Sequence, residues 1–170
     1  VVNAARVALV VGGTLALQTT LARFLPSGMG AVDLVLVGVV YVALTSGSVT
    51  GLVAGTVAGL AQDALASGVI GIGGLAKTIV GFAAGRIGTQ LIVSAALPRF
   101  VVFFGATVVH AIVFIGLYRV LDLRQFDAPF VSVVEQAASN AVLGVLAFQV
   151  VELLPGALER RRMARSRLRR

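Results

Sequence analysis

The sequence predicts an all-α polytopic membrane protein, a compact bundle of about six transmembrane helices. Three observations carry this. The 170 residues are 58% hydrophobic and only 12% charged, with a mean hydropathy of +1.02, so charged groups are too few to cover the apolar material in water and lipid must be its solvent. The apolar residues fall into six runs separated by short turn signals. At about 20 residues per crossing, this length holds six or seven helices and leaves nothing for a separate globular domain. The expected organisation is one transmembrane domain over residues 1–158 and a basic cytoplasmic tail over 159–170.

Helix 1 is expected over Val7–Phe24; it follows a single Arg6 and lacks a convincing small-x-small cleavage site before Arg23, so it reads as a retained helix. Pro26, Ser27, Gly28 and Gly30 break the chain after it. Helix 2, Leu34–Leu44, is an apolar run of 11 residues. That is below the usual spanning length of about 17 to 25, so it crosses only if Ala31, Val32 and Thr45 to Ser48 extend it or the bilayer thins around it. Ser46-Gly47 precedes helix 3, Val49–Leu65, and Ser67-Gly68, Gly71 and Gly73-Gly74 divide it from helix 4, Ile70–Val93. Pro98 opens helix 5, Phe100–Leu121; Asp127-Ala128-Pro129 opens helix 6, Val131–Leu154; and Pro155-Gly156 ends it, each Pro placed where a missing N–H does no harm.

The net charge is +7, and half of the 14 basic residues lie in the last 11 positions: Arg160, Arg161, Arg162, Arg165, Arg167, Arg169 and Arg170. Such a run beside a membrane helix reads as a topology anchor on an anionic leaflet, at about 1 kcal/mol per near-surface Arg. No aromatic interleaving or nucleic-acid-binding fold signal accompanies it. With both termini inside, Arg6, Arg86, Arg99 and the tail fall on the cytoplasmic side, against Arg23, Arg119 and Arg124 outside. A five-helix alternative, with segment 2 re-entrant, places the N-terminus outside. There is no cysteine, hence no disulfide and no thiolate metal site.

Helix 3 carries Gly47, Gly51, Gly55 and Gly59 at a strict four-residue step, a face without side chains that another backbone can approach closely. Asp63 continues that register, and Lys77, Gly81 and Gly85 repeat the step in helix 4. In a hairpin turning near Ile70, positions 63 and 77 are symmetric, so an Asp63–Lys77 ion pair sealing the two glycine faces is expected; the alternative sends Lys77 to a carbonyl or phosphate and Asp63 to headgroup water. Helix 1 has a small face of its own, Ala4, Ala8, Gly12 and Ala16, which either packs inside the bundle or receives a partner's helix. His110 is the only histidine; no carboxylates stand at metal-ligand spacing to it, so it reads as a hydrogen-bonded core residue. In helix 6, Asn140 and Gln149 are expected to face the bundle, and Glu135 and Glu152 to lie wet near the ends. No nucleophile elbow, phosphate loop or HExxH occurs, so neither catalysis nor a cofactor is expected.

The string Gly59-Leu-Ala-Gln62-Asp63-Ala-Leu-Ala-Ser67-Gly68, followed by Gly71-Ile-Gly-Gly-Leu-Ala-Lys77-Thr78-Ile-Val-Gly81-Phe-Ala-Ala-Gly85-Arg86, resembles the rod shape-determining protein MreD family. The likeness extends to Gln18-Thr-Thr-Leu-Ala-Arg23-Phe-Leu-Pro26, to Asp33-Leu-Val-Leu, and to the size and basic tail; helices 5 and 6 add only hydropathy. The family's Gln-Asp and Lys-Thr motifs fall on Gln62-Asp63 and Lys77-Thr78. The resemblance implies a non-enzymatic subunit of the bacterial elongation machinery in the cytoplasmic (inner) membrane. It would bind the single-pass protein MreC and, through it, act with MreB and the synthases of lateral peptidoglycan to maintain cell shape. The alternative is the substrate-binding S-component of an energy-coupling-factor vitamin importer, another small six-helix protein. Its Ala-x-x-x-Ala contact is matched by Ala4 and Ala8, although a vitamin pocket ordinarily offers more aromatic and polar anchors than a chain with no Trp and two Tyr.

Overall fold

The computed structural model describes residues 4–24, 32–66, 68–90, 95–123 and 129–167, with side chains at 23, 24, 129 and 154–167 outside the description. The described residues are all helix and turn: α1 (Ala4–Phe24), α2 (Leu34–Ser46), α3 (Ser48–Leu65), α4 (Ile72–Gln90), α5 (Ala96–Val120) and α6 (Pro129–Arg167). This is a six-helix membrane bundle. Among the described residues three stretches, Ala4–Ala22, Ala96–Val120 and Phe130–Leu153, are long and apolar enough to cross a membrane. The turn residues Pro26, Ser27, Gly28 and Gly30, together with Ser67, Arg124, Asp127, Arg169 and Arg170, lie outside the described residues.

α2 is the shortest helix and the centre of the bundle. Its sequence is apolar on every side, which suits a helix enclosed by others rather than one at a surface. Residues Val35 to Ala43 are all buried, and α1, α3, α4, α5 and α6 all touch it. It begins only at Leu34 and ends at Ser46, a length of about 20 Å. The extension considered for it is thus partial, taking in Thr45 and Ser46 but not Val32, while Ala31 lies outside the described residues.

The chain turns from α2 into α3 through one residue. Gly47 sits at φ +88°, a backbone conformation that favours glycine, and its N–H donates to the Ala43 carbonyl at 2.9 Å. Gly47 therefore makes the turn rather than the packing face on which its spacing placed it. α3 and α4 form an antiparallel hairpin of close-approaching backbones. A Cβ at Gly51 would sit on the Gly81 carbonyl oxygen, one at Gly55 on the Lys77 carbonyl oxygen, one at Gly59 against Gly74, and one at Gly85 on Ser48. Between them the Thr56 and Thr78 hydroxyls share a hydrogen bond of 2.8 Å.

α6 does not stop at Leu154. It runs through Pro155-Gly156 to Arg167. An internal proline removes one backbone hydrogen bond, and the Leu, Ala, Glu, Met and Arg that follow are strong helix formers, so the helix resumes its ladder beyond the break. Gln149, expected to face the bundle, is exposed; Asn140 is completely buried.

Candidate functional site

The functional candidates gather at the buried start of α2. A helix N-terminus leaves backbone N–H groups without intrahelical partners, and inside a membrane bundle those groups must find protein acceptors. Gln18 of α1 supplies one: its Oε1 accepts from the Leu34 N–H at 2.8 Å while its Nε2 donates to the Val32 carbonyl at 3.2 Å. Asp33 supplies the other, with Oδ1 accepting from the Leu36 N–H at 2.9 Å, an N-cap.

The second oxygen of Asp33 is the counter-charge of Lys77, at 2.8 Å, with both side chains almost wholly buried. Lys77 also donates to Nε2 of His110 at 3.2 Å. An ammonium has donors only, so Nε2 must accept, which assigns the imidazole proton to Nδ1. The network continues into α6: the Asp33 N–H donates to Asn140 Oδ1 at 3.0 Å, Asn140 Nδ2 donates to Thr107 Oγ1 at 3.2 Å, and Thr107 donates to the Phe103 carbonyl at 2.9 Å. Five helices are thereby tied by polar contacts around one buried charge pair. A fully satisfied network of this kind rigidifies a core and specifies its arrangement.

The expected Asp63–Lys77 pair is not formed. The close contacts of Gly51 with Gly81, Gly55 with Lys77 and Gly59 with Gly74 centre the hairpin on residues 66 and 67, not on Ile70. In that register position 63 meets the turn, and position 77 lies opposite Gly55 with its side chain directed to α2 and α5. Asp63 Oδ2 instead accepts the N–H groups of Gly71 at 2.9 Å and Gly74 at 3.1 Å, satisfying free donors at the start of α4. Gly73 makes this approach feasible, since a Cβ there would strike the Asp63 carboxylate. Gln62, beside it, keeps a buried Oε1 with no hydrogen-bond partner among the described residues. Thr78 bonds to Thr56 across the hairpin and to the Gly74 carbonyl at 2.7 Å.

Between the α3–α4 and α5–α6 hairpins, at the end of the bundle where both turn, lies a cleft of about 360 Å³. It is lined by Asp33, Lys77 and His110, by Gln62 and Asp63 of α3, and by Phe114 and Tyr118 of α5. α3 touches neither α5 nor α6 among the described residues, so the cleft separates α3 from the second hairpin, while α4 packs on α5.

A second polar cluster closes the other end. Arg99, buried near the start of α5, makes a two-pronged pair with Glu152 of α6 and lies over the Phe148 ring at 4.5 Å. Tyr41 packs its ring on Phe148 at 4.8 Å and accepts a hydrogen bond from Arg6 at 2.7 Å. Glu152, expected to be merely wet, is thus exposed and paired. On α1, by contrast, Ala4, Ala8, Gly12 and Ala16 all point outward, and a Cβ at Gly12 or Gly13 would meet nothing within 4 Å. The small face does not pack inside the bundle.

Asn140 faces the bundle as expected; Asp33, Gln18 and Thr107 are members of the polar core whose role spacing did not disclose. For Asp33 the signal in the sequence is an acidic residue immediately before an apolar helix. No group of three or more acidic, histidine or cysteine side chains placed to hold a metal ion occurs among the described residues.

The family model for the rod shape-determining protein MreD matches residues 5–155 of the 170-residue chain. No curated protein and no solved structure matches it.

Proposed function

Because the chain belongs to the rod shape-determining protein MreD family, we propose that it is a non-enzymatic membrane scaffold of the bacterial elongation machinery. The family is one of shape-determining structural proteins rather than a known enzyme family. In this reading the protein sits in the cytoplasmic membrane with both termini inside, binds MreC, and through it serves MreB and the wall synthases. The observation that carries the scaffold reading is the contrast between α1 and the rest. The bundle is made rigid by the glycine hairpin and the buried Asp33–Lys77 core, while the small-residue face of α1 is left uncovered. A face of Ala4, Ala8, Gly12 and Ala16 lets a second helix approach to backbone distance, and that close packing drives association between membrane helices.

The test is affinity purification of the tagged protein from native membranes in mild detergent, with mass spectrometry of what co-elutes, for the parent and for Gly12→Leu. Co-elution of a single-pass coiled-coil protein with wall synthases is expected, reduced by Gly12→Leu while the bundle stays folded, since the added side chain meets open space. Recovery of paired ATPases and a bound vitamin instead would replace the scaffold with an importer subunit. Undiminished co-elution from Gly12→Leu would move the interface off α1.

A further inference from the structure

The cleft between the two hairpins is too large to be a packing defect. Its volume of about 360 Å³ is some ten times a water molecule's share of the liquid, about 30 Å³, and lies in the range of small-ligand sites. Its chemistry is lopsided. Two carboxylates, Asp33 and Asp63, face one lysine, and Lys77 is already spent on Asp33 at 2.8 Å. Asp63 receives two backbone N–H groups, both on Oδ2, so Oδ1 takes no hydrogen bond among the described residues. Next to it Gln62 Oε1 is buried and unpartnered. A buried carbonyl without a donor is costly, and two free acceptors lining one cleft with an excess negative charge call for a cation that carries N–H groups.

The α5 residues of the cleft suit the same group. His110, Phe114 and Tyr118 stand one turn apart on α5 and form an aromatic ladder, with ring centroids 5.7 Å and 4.8 Å apart. All three line the cleft, and an aromatic ring that an ammonium group can cover attracts it, most strongly where water is scarce. We propose that this cleft binds an ammonium-bearing ligand of headgroup size, held between the Gln62 and Asp63 acceptors of α3 and the aromatic ladder of α5. The cleft is partly open, so the amine can come from a membrane lipid, as in phosphatidylethanolamine, or from solution as a free alkylamine. The site stands apart from α1 and does not depend on any partner helix.

Native mass spectrometry of the full chain in mild detergent provides the test, with phosphatidylethanolamine, phosphatidylglycerol of the same acyl chains, and free ethanolamine as probes. One molecule of the amine lipid is expected to be retained roughly tenfold better than the glycerol lipid. Gln62→Met and Phe114→Leu should each erase most of that preference in protein that still melts as the parent does. Gln62→Met removes the orphan acceptor and so has no folding penalty to confuse the result. Competition by free ethanolamine assigns the ligand to solution, and its failure to compete assigns it to the lipid. Equal retention of the two lipids with no binding of free ethanolamine overturns the proposal, as does an undiminished preference in both variants.

Discussion

Replacing Lys77 by Met strands the Asp33 carboxylate in the middle of the bundle. Asp33 is 6% exposed and Lys77 3%, and they meet at 2.8 Å. Removing one partner of a buried, hydrogen-bonded charge pair costs about 3 to 5 kcal/mol, because the remaining charge has lost its compensation. Asn at position 33 keeps the N-cap and carries no charge, so Asp33→Asn added to Lys77→Met should restore much of that loss. The cycle over positions 33 and 77 should therefore show a coupling of about 2 to 3 kcal/mol. The cycle over 63 and 77 should be additive to within about 0.5 kcal/mol, since the two side chains share no hydrogen-bond partner. The assay is reversible unfolding in mixed micelles titrated with a denaturing detergent and followed by far-ultraviolet circular dichroism. A 63/77 coupling as large as the 33/77 coupling, or a Lys77→Met cost below about 1 kcal/mol, would refute the assignment of Lys77 to Asp33.

The glycines divide by what stands opposite them. Gly55→Ala should destabilise by about 1 to 3 kcal/mol, because its Cβ falls on the Lys77 carbonyl oxygen and forces the hairpin apart, whereas Gly105→Ala, in open space on α5, should be neutral or stabilising by up to about 1 kcal/mol; unfolding midpoints compare the two. Gly144→Ala should lower the thermal midpoint as Gly55→Ala does, since its Cβ would lie against the Phe103 ring and Phe103 is fully buried. Asn140→Leu should cost about 1 to 3 kcal/mol by leaving the Asp33 N–H without an acceptor, and hydrogen exchange at the start of α2 should accelerate; unchanged exchange would mean that another acceptor takes its place.

Much of the fold was legible because the signals that set it are local. Each apolar run became a helix, and the α3 and α4 glycines announced close packing, since a four-residue step lines one helix face whatever that face touches. What misled was register. Reading the hairpin turn at Ile70 made Asp63 and Lys77 symmetric, and a shift of the turn by about one helical turn sent the lysine to a residue 44 positions earlier in the chain. The end of α6 was misread for a related reason. Pro155-Gly156 is a stop signal in local terms, but a proline takes away one hydrogen bond and a helix with good formers beyond it continues. Gln149 and Asn140 look alike as amides in an apolar helix, and only the packing of α6 on α2 and α5 separates the buried one from the exposed one.

By itself the sequence determined the solvent, the number of helices, the faces on which backbones could meet and the family. These depend on composition, on periodicity and on motif strings within single helices. The tertiary structure decided which charges meet. It put the shortest helix, apolar on all sides, at the centre, and so turned Asp33 from a loop acid into the buried counter-charge of Lys77. It left the small face of α1 uncovered, and it opened a cleft where the two hairpins part. The reason is physical: a charge in an apolar interior takes whichever partner the packing brings within about 3 Å, and that choice belongs to the docking of helices distant in sequence, on which no local pattern bears.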